Sequence, residues 1–459
     1  MINNHAEKRE TPYIPAGIFK IRLPFVHYRV EKVELIQGLI IGATALASIP
    51  YLIEYLGIDY ELAWSMVIFE VALYLLHGLL GDPVVPGWIT PSLPFTLAFI
   101  STFPMGTPRL HAVIAVQLLV GLIFIFLGAT KIADKFINYV PNSIKGGILL
   151  AAPITVLKGQ FVPGSQMMTA TVATLVGAGL LALLSYSPFI SRYRTKYKIL
   201  DVMCKYGNLF PYLLAMLVGI LLGELDKPVL ELGTIIKIPD VHRVLTEVSV
   251  FAVGLPPLTT FIKAIPTAFI CYILAFGDFV TSESLIDEAK TFRDDELVDF
   301  NASRSNLVSG IRNTLLSLFA PFPPLAGPLW VGMTVSVAVR YREGKEAMQS
   351  LIGGMATFRI ATLLSVIFVP VVSFMNPVMG VGAAITLLFQ AYVCGQMGME
   401  YSVTNTDKSI AGVVAVTLAF SNAAVALLVG FLMNLMMSNM EFQKKKYATT
   451  EADVDEGVH

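Results

Sequence analysis

Residues 88–101, WITPSLPFTLAFIS, and residues 320–334, APFPPLAGPLWVGMT, decide the fold of this chain. Both stretches are apolar, and prolines interrupt both. Proline has no backbone N–H to donate and clashes with the preceding turn of a helix. Each stretch is therefore predicted to be a short extended segment that leads into half a helix. Such backbone survives at membrane depth only where protein or a water-filled cavity satisfies it.

The composition around these stretches is that of a membrane protein. The chain has 459 residues, of which 55% are hydrophobic and 14% are charged, and its mean hydropathy is +0.70. Soluble chains carry about 25% charged residues. A spanning helix needs about 20 apolar residues, and the apolar segments number about fourteen. We expect an all-α polytopic protein in a lipid bilayer. No basic stripe points to a nucleic-acid partner.

Loop charge supports the count of fourteen spans. With a cytoplasmic N-terminus, fourteen spans place the basic runs at residues 191–198, 340–345 and 444–446 on the cytoplasmic side. An excess of Lys and Arg in cytoplasmic loops is the expected asymmetry. Both termini are therefore predicted to be cytoplasmic, and the protein is placed in the inner or plasma membrane.

The chain also contains two copies of one pattern. SLPFTLAF near Pro94 matches FPPLAGPL near Pro324, and YVPNSIKGGILLAAP at Pro141 matches FMNPVMGVGAAI at Pro377. Seven spans per copy is an odd number, so the copies are predicted to be inverted repeats. Broken segments at corresponding positions of two halves indicate the central site of a secondary transporter. Spans 3 and 10 would carry the strand-plus-half-helix segments.

Several motifs resemble a known superfamily. Residues 38–55, GLIIGATALASIPYLIEY, are similar to the first span of sulfate permeases (SulP) and of uracil/xanthine permeases, which share the UraA-like fold. The broken segment at Pro94 and NPVMGVGAAI resemble the third and twelfth spans of uracil permeases. Residues 277–295, GDFVTSESLIDEAKTFRDD, resemble the eighth span of sulfate permeases and bicarbonate transporters.

The resemblance implies a core (transport) domain that moves against a gate (scaffold) domain in an elevator-type mechanism. It also implies a substrate held between the half-helices of spans 3 and 10, and a homodimer. The expected boundaries are 1–32 for the cytoplasmic or interfacial N-terminal segment, 33–130 and 259–368 for the core domain, 131–258 and 369–440 for the gate domain, and 441–459 for a cytoplasmic tail.

The coupling cation is predicted to bind at Asp278 and Ser282. Residues four apart share one face of a helix, and a carboxylate with a hydroxyl suits Na⁺. The resemblance implies Na⁺ at these two positions. Alternatively Asp278 carries H⁺, because burial disfavours the charged form of a carboxyl group. A third alternative is a purely structural ion pair with Arg312 or Arg359. Apart from Na⁺ or H⁺, no cofactor is expected.

The predicted substrate site has few polar side chains. It comprises Phe95 and Thr96, the run Leu325, Ala326 and Gly327, and Tyr51 as a wall. The groups left to bind a substrate are the backbone N–H groups at two half-helix N-termini, where the positive end of the helix dipole favours an anion. Phe95 and Tyr51 are equally compatible with ordinary core packing.

Three further charged residues, Glu70, Arg312 and Arg359, fall inside predicted spans. Ionisable residues at membrane depth are functional candidates by default. They form a possible charge network that serves either as an internal ion pair or as a contact for the anion.

The sequence therefore predicts a cation-coupled secondary transporter of a small anion, such as sulfate, bicarbonate or a small carboxylate. One alternative is a proton-coupled nucleobase symporter, although Leu329 stands where that family has a glutamate. The other is a passive anion channel on the same scaffold. An enzyme is not expected, since no nucleophile–base set, metal cluster or nucleotide loop is visible.

Overall fold

The computed structural model describes residues 9–437, apart from 134, 136–138, 195, 206–208 and the side chains of residues 191, 205 and 280. The predicted C-terminal tail and the basic run at 444–446 lie outside this range. A hairpin of Ile14–Ala16 (β1) and Phe19–Ile21 (β2) comes first. The elements that follow in the first half are Lys32–Ile41 (α1), Ile49–Leu56 (α2), Tyr60–Leu73 (α3), Leu75–Leu80 (α4), Gly87–Trp88 (β3), Leu93–Ser101 (α5), Thr107–Thr130 (α6), Asn142–Gln160 (α7), Gln166–Thr169 (α8), Thr171–Tyr186 (α9), Pro188–Tyr193 (α10), Lys198–Lys205 (α11) and Leu209–Leu222 (α12).

The second half is also mainly helical. Its elements are Val241–Arg243 (α13), Val250–Val253 (α14), Leu258–Lys290 (α15), Ala302–Phe319 (α16), Ala326–Gly327 (β4), Val331–Tyr341 (α17), Leu351–Ile367 (α18), Val369–Met375 (α19), Met379–Tyr401 (α20), Asn405–Phe420 (α21) and Ala423–Met437 (α22). Short 3₁₀ segments at Gly42–Ser48 and Thr90–Ser92 join α1 to α2 and lead into α5.

Several helices are long and apolar enough to cross a bilayer. Among the described residues there are five, namely Lys32–Leu56, Tyr60–Leu80, Thr107–Thr130, Leu258–Lys290 and Val369–Tyr401. A sixth arises if α11 and α12, which are bent by 95° to each other, count as one span. The protein is a multi-pass membrane protein, as predicted. The count of fourteen spans and the inverted repeats stay predictions.

The two proline-broken stretches meet as a small antiparallel sheet. Gly87 of β3 lies opposite Gly327 of β4, and Trp88 lies opposite Ala326. Each strand is followed by a short helix, α5 or α17. A Cβ atom on Gly327 would lie 2.7 Å from the backbone carbon of Trp88, so only glycine permits this approach. The structure has the strand and half-helix that the sequence predicts in both segments.

The first long helix is also interrupted, and it packs tightly against α18. A Cβ atom on Gly38 would lie 2.5 Å from the carbonyl oxygen of Phe358, and one on Gly42 would lie 2.7 Å from Cα of Thr362. These glycines let the backbones of α1 and α18 touch. As a result, the 3₁₀ segment after α1 lies beside the stretch of α18 that carries Arg359.

Candidate functional site

A cavity of about 90 Å³ lies where the 3₁₀ segment after α1, strand β3 and the start of α17 approach α12 and α20. A water molecule takes up about 30 Å³ in the liquid, so the space suits a small solute. The elements on its two sides belong to the predicted core and gate domains, respectively. Its walls include Thr44, Tyr74, Trp88, Trp330, Arg359 and Thr386.

Arg359 is the positive charge in this cavity. The side chain is only 2% exposed, and its guanidinium carbon lies 3.9 Å from the ring centre of Tyr74 and 5.0 Å from that of Trp330. Within the described part of the chain, Nε and Nη2 have no hydrogen-bond acceptor. A buried charge without a partner is costly, and the cavity is where an anion would supply one.

Hydroxyl groups line the opposite, gate side of the cavity. The Tyr212 hydroxyl lies 3.1 Å from the carbonyl oxygen of Gly382 and 2.7 Å from Oγ1 of Thr386. Thr386 Oγ1 also donates to Gly382 at 2.8 Å. These groups belong to α12 and α20, so a ligand on Arg359 would bridge the two sides.

A second buried arginine, Arg312 of α16, makes hydrogen bonds through both terminal nitrogens, although its Nε has no acceptor among the described residues. Its Nη1 donates to the carbonyl oxygen of Gly327 at 2.9 Å and lies 3.1 Å from Nε2 of His77. Its Nη2 lies 3.4 Å from both Glu70 Oε1 and the carbonyl oxygen of Gly87. One guanidinium therefore joins both strands of the small sheet to α3 and α4. Of the two roles open to Glu70 and Arg312, the structure shows the internal ion pair.

The network continues beyond Arg312. His77 Nδ1 lies 2.7 Å from Asp82 Oδ2, and the Ser305 hydroxyl donates to the same oxygen at 2.7 Å. Neither His77 nor Asp82 is among the site residues predicted from the sequence. The available signal was a histidine inside an apolar helix with an aspartate five residues later, beyond the turn at Gly81, whose φ is +89°.

The predicted run Leu325, Ala326 and Gly327 is buried at the strand crossing. The Ala326 N–H donates to Asn313 Oδ1 at 2.9 Å, and its carbonyl oxygen accepts from Asn313 Nδ2 at 2.7 Å. The carbonyl oxygen of Leu325 accepts from the Ile89 N–H at 2.8 Å. These hydrogen bonds fix residues 325–327 within the strand crossing. The residues do not line the 90 Å³ cavity, which the neighbouring Leu329 and Trp330 line instead.

Phe95, Thr96 and Tyr51 also lie outside that cavity. Phe95 is 5% exposed and packs in a hydrophobic cluster. Thr96 donates to the carbonyl oxygen of Ser92 at 3.1 Å. Tyr51 donates to the carbonyl oxygen of Ala383 at 2.8 Å and lines a second, larger cavity of about 510 Å³. The structure brings Tyr51 and the gate helix α20 together but does not bring Tyr51 to Arg359.

Asp278 and Ser282 lie on α15, away from Arg312 and Arg359. The Ser282 hydroxyl is buried and donates to the backbone carbonyl oxygen of Asp278 at 2.7 Å. Among the described residues, no ion pair to Asp278 is found. Its carboxylate remains available as a cation ligand, and the oxygen of Ser282 keeps its lone pairs. Cation binding at these two residues stays a prediction.

The fold and the cavity together define a class of protein, a multi-pass membrane protein with two crossed, broken spans. No family model matches the sequence, and no curated protein matches it. The transmembrane domain of BicA, a cyanobacterium bicarbonate transporter, has the same fold, with a TM-score of 0.54 and 15% identity over 88% of this chain and 99% of that one.

Two SLC26A9 structures also share the fold. Murine Slc26a9, an anion transporter in the inward-facing state, has a TM-score of 0.55 at 14% identity, and covers 89% of this chain and 68% of that one. A second SLC26A9 structure has a TM-score of 0.53 at 15% identity, covering 90% and 66%. The predicted resemblance to sulfate permeases and bicarbonate transporters is thus confirmed at the level of the fold. These neighbours are transporters and not enzymes.

Proposed function

We propose that this protein is a cation-coupled secondary transporter of a small anion. The observation that carries the proposal is Arg359, a buried guanidinium without a described hydrogen-bond acceptor on Nε and Nη2, in a cavity between the predicted core and gate elements. A guanidinium presents a planar fork that binds carboxylate-like groups through two hydrogen bonds. The shared fold with BicA and Slc26a9 supports an anion as the substrate.

The start of α17 adds to the attraction for an anion. The first N–H groups of a helix have no partner within the helix, and those of Val331 and Gly332 find no acceptor among the described residues. Trp330, immediately before them, lines the cavity. Val331 and Gly332 are exposed and do not themselves line the cavity, so the dipole of α17 would act on a bound anion only from the edge of the cavity.

Transport would proceed by movement of the core domain against the gate domain. The placement of the cavity supports this mechanism, because Arg359 belongs to the predicted core domain, whereas Tyr212 and Thr386 belong to the predicted gate domain. A sliding motion between the two would separate them and open the cavity. We further propose a homodimer in the inner or plasma membrane, with both termini in the cytoplasm.

Asp278 and Ser282 would hold the coupling cation. A Na⁺ ion would take oxygen ligands from both side chains, and a proton would bind to the Asp278 carboxyl group. The absence of an ion pair to Asp278 among the described residues supports a cation site over a purely structural role.

Uptake into proteoliposomes tests the proposal. We expect radiolabelled bicarbonate, sulfate or a small carboxylate to accumulate when a Na⁺ or H⁺ gradient is imposed, and uracil and xanthine to remain outside. Uptake of the bases alone would replace the proposal with a nucleobase symporter. Large anion currents that need no cation gradient, in electrical recordings, would replace it with a channel.

A further inference from the structure

Glu70 lies directly behind the wall of the cavity. It is fully buried, and its Oε1 lies 3.4 Å from Arg312 Nη2. The hydroxyl of Tyr74 and the indole of Trp88 face the same carboxyl group, and both residues also line the cavity. The ring of Tyr74 lies close to two guanidinium groups, with its centre 4.6 Å from the guanidinium carbon of Arg312 and 3.9 Å from that of Arg359.

The charges of this cluster balance when the cavity is empty. Arg312 and Arg359 contribute two positive charges, and Glu70 and Asp82 contribute two negative charges. His77 accepts from Arg312 at Nε2 and donates to Asp82 from Nδ1, so its imidazole is neutral. A bound monoanion on Arg359 would leave the buried cluster with one excess negative charge.

An uncompensated charge at this depth is expensive, because the surroundings screen it poorly. We propose that one proton enters the cluster with each anion and that Glu70 takes this proton. The inference rests on the proposed function and specifies the charge balance of the same site. A Na⁺ ion at Asp278 would neutralise only the carboxylate that holds it. The proton on Glu70 would compensate the substrate itself.

Glu70 is the group best placed to take the proton. It is the acid that faces both Arg312 and Arg359, and the phenol of Tyr74 beside it is neutral already. Protonation of His77 at Nε2 would remove its bond to Arg312 and bring two cations together. Asp82 lies beyond His77 and is bonded to His77 and Ser305.

The first experiment measures protons taken up when an anion binds to the purified full-length protein. Formate and sulfate serve as probes in weakly buffered solution that contains a pH indicator. We expect about one proton per bound formate, and an affinity that falls about tenfold per pH unit once Glu70 is deprotonated in the empty protein, as linkage requires. Binding without proton uptake overturns the inference and leaves the proposed function standing.

Variants then assign the proton to a residue. Glu70→Gln has the shape of the protonated side chain, so it should bind formate without proton uptake and with no pH dependence over the same range. Glu283→Gln, which removes an exposed carboxyl group, should behave as the wild type does. Proton uptake that persists in Glu70→Gln overturns the inference.

An infrared measurement covers the case in which Glu70→Gln does not fold. Formate binding to the wild type and to Asp278→Asn should then produce the carbonyl stretch of a protonated carboxylic acid in the difference spectrum. Absence of the band in both proteins overturns the inference. If neither probe binds and no anion is transported, the proposed function fails, and the inference fails with it.

Discussion

Arg312 and Arg359, two arginines buried beside Tyr74, show the difference between a charge with an ion pair and a charge without one among the described residues. Arg312 reaches the carbonyl oxygens of both crossed strands as well as Glu70 and His77. Arg359, on the other side of Tyr74, contacts aromatic rings, and its Nε and Nη2 have no acceptor in the described part of the chain. The same residue type therefore stabilises the fold in one region and is left open to a ligand in the other.

Replacement of Arg312 should have the largest effect. Arg312→Met leaves Glu70 as a buried, unpaired carboxylate, and breaking such a pair costs about 3–5 kcal/mol. We expect a marked loss of thermal stability in detergent, measured by the unfolding of the purified protein. The double variant Arg312→Met/Glu70→Leu should regain much of that loss, because it removes the carboxylate that Arg312→Met leaves unpaired. A double variant as unstable as Arg312→Met would show that the strand contacts matter more than the ion pair.

Replacement of Arg359 should separate function from stability. Arg359→Met should weaken anion binding about 10- to 100-fold, since a hydrogen bond to a charged group is worth about 1.5–3 kcal/mol. Its thermal stability should change less than that of Arg312→Met. Arg359→Lys is the matched control, because it keeps the charge and loses the planar fork. Unaltered binding by Arg359→Met would remove the distinction between the two arginines.

Asp278 is another ionisable residue without an ion pair among the described residues, and it should follow the pattern of Arg359. We expect Asp278→Asn to abolish cation-coupled uptake while the protein stays folded and inserted in the membrane. Uptake assays in proteoliposomes test the loss of transport, and the thermal stability of the variant tests whether it stays folded. Transport at the wild-type level would place Asp278 among the structural residues instead.

Ser282 should show a smaller effect on the same cation. Ser282→Ala removes one neutral oxygen ligand, which at about 1 kcal/mol corresponds to roughly a fivefold higher Na⁺ requirement. The KM for the anion should change less than the Na⁺ requirement does. An unchanged Na⁺ dependence would argue against a site shared by Ser282 and Asp278.

The exposed ion pair Asp59–Arg243 should have the smallest effect on stability. Arg243 Nη2 lies 2.6 Å from Asp59 Oδ2, and hydrogen bonds from Arg243 and from the Leu62 N–H lower the pKa of Asp59 to about 2. A lowered pKa contributes stability above the ordinary value of 3.8, and this stability is lost as the pH falls toward 2. Asp59→Asn should therefore narrow the difference in thermal stability between pH 5 and pH 2, and only slightly, because the pair is exposed.

The sequence predicted the architecture better than the ligand site. Prolines and glycines act locally, so residues 88–101 and 320–334 could be assigned to broken segments without knowledge of their neighbours. The pairing of Gly87 with Gly327 and the position of Arg359 depend on contacts between distant parts of the chain. In particular, nothing in the sequence around Gly38 distinguishes it from other glycines and so predicts that α1 packs closely on α18 there.

The site residues show the same limit. Leu325 to Gly327 were chosen because they lie at the break, where free N–H groups were expected. Asn313, thirteen residues earlier, accepts a hydrogen bond from the N–H of Ala326 instead, and no spacing rule anticipates this contact. A single arginine in an apolar span could equally be paired or unpaired, and only the tertiary arrangement of Tyr74 and Trp330 distinguishes Arg359 from Arg312.

The glycine pair at the strand crossing has a consequence for how the protein can move. Because Gly87 and Gly327 leave no room for a side chain, strands β3 and β4 pair closely. The two half-helices that follow these strands are therefore held together at their N-terminal ends. Any displacement of α5 must carry α17 along as one stiff unit. If the proposed transport mechanism holds, the movement would therefore take place at the surface that this unit shares with Tyr212 and Thr386.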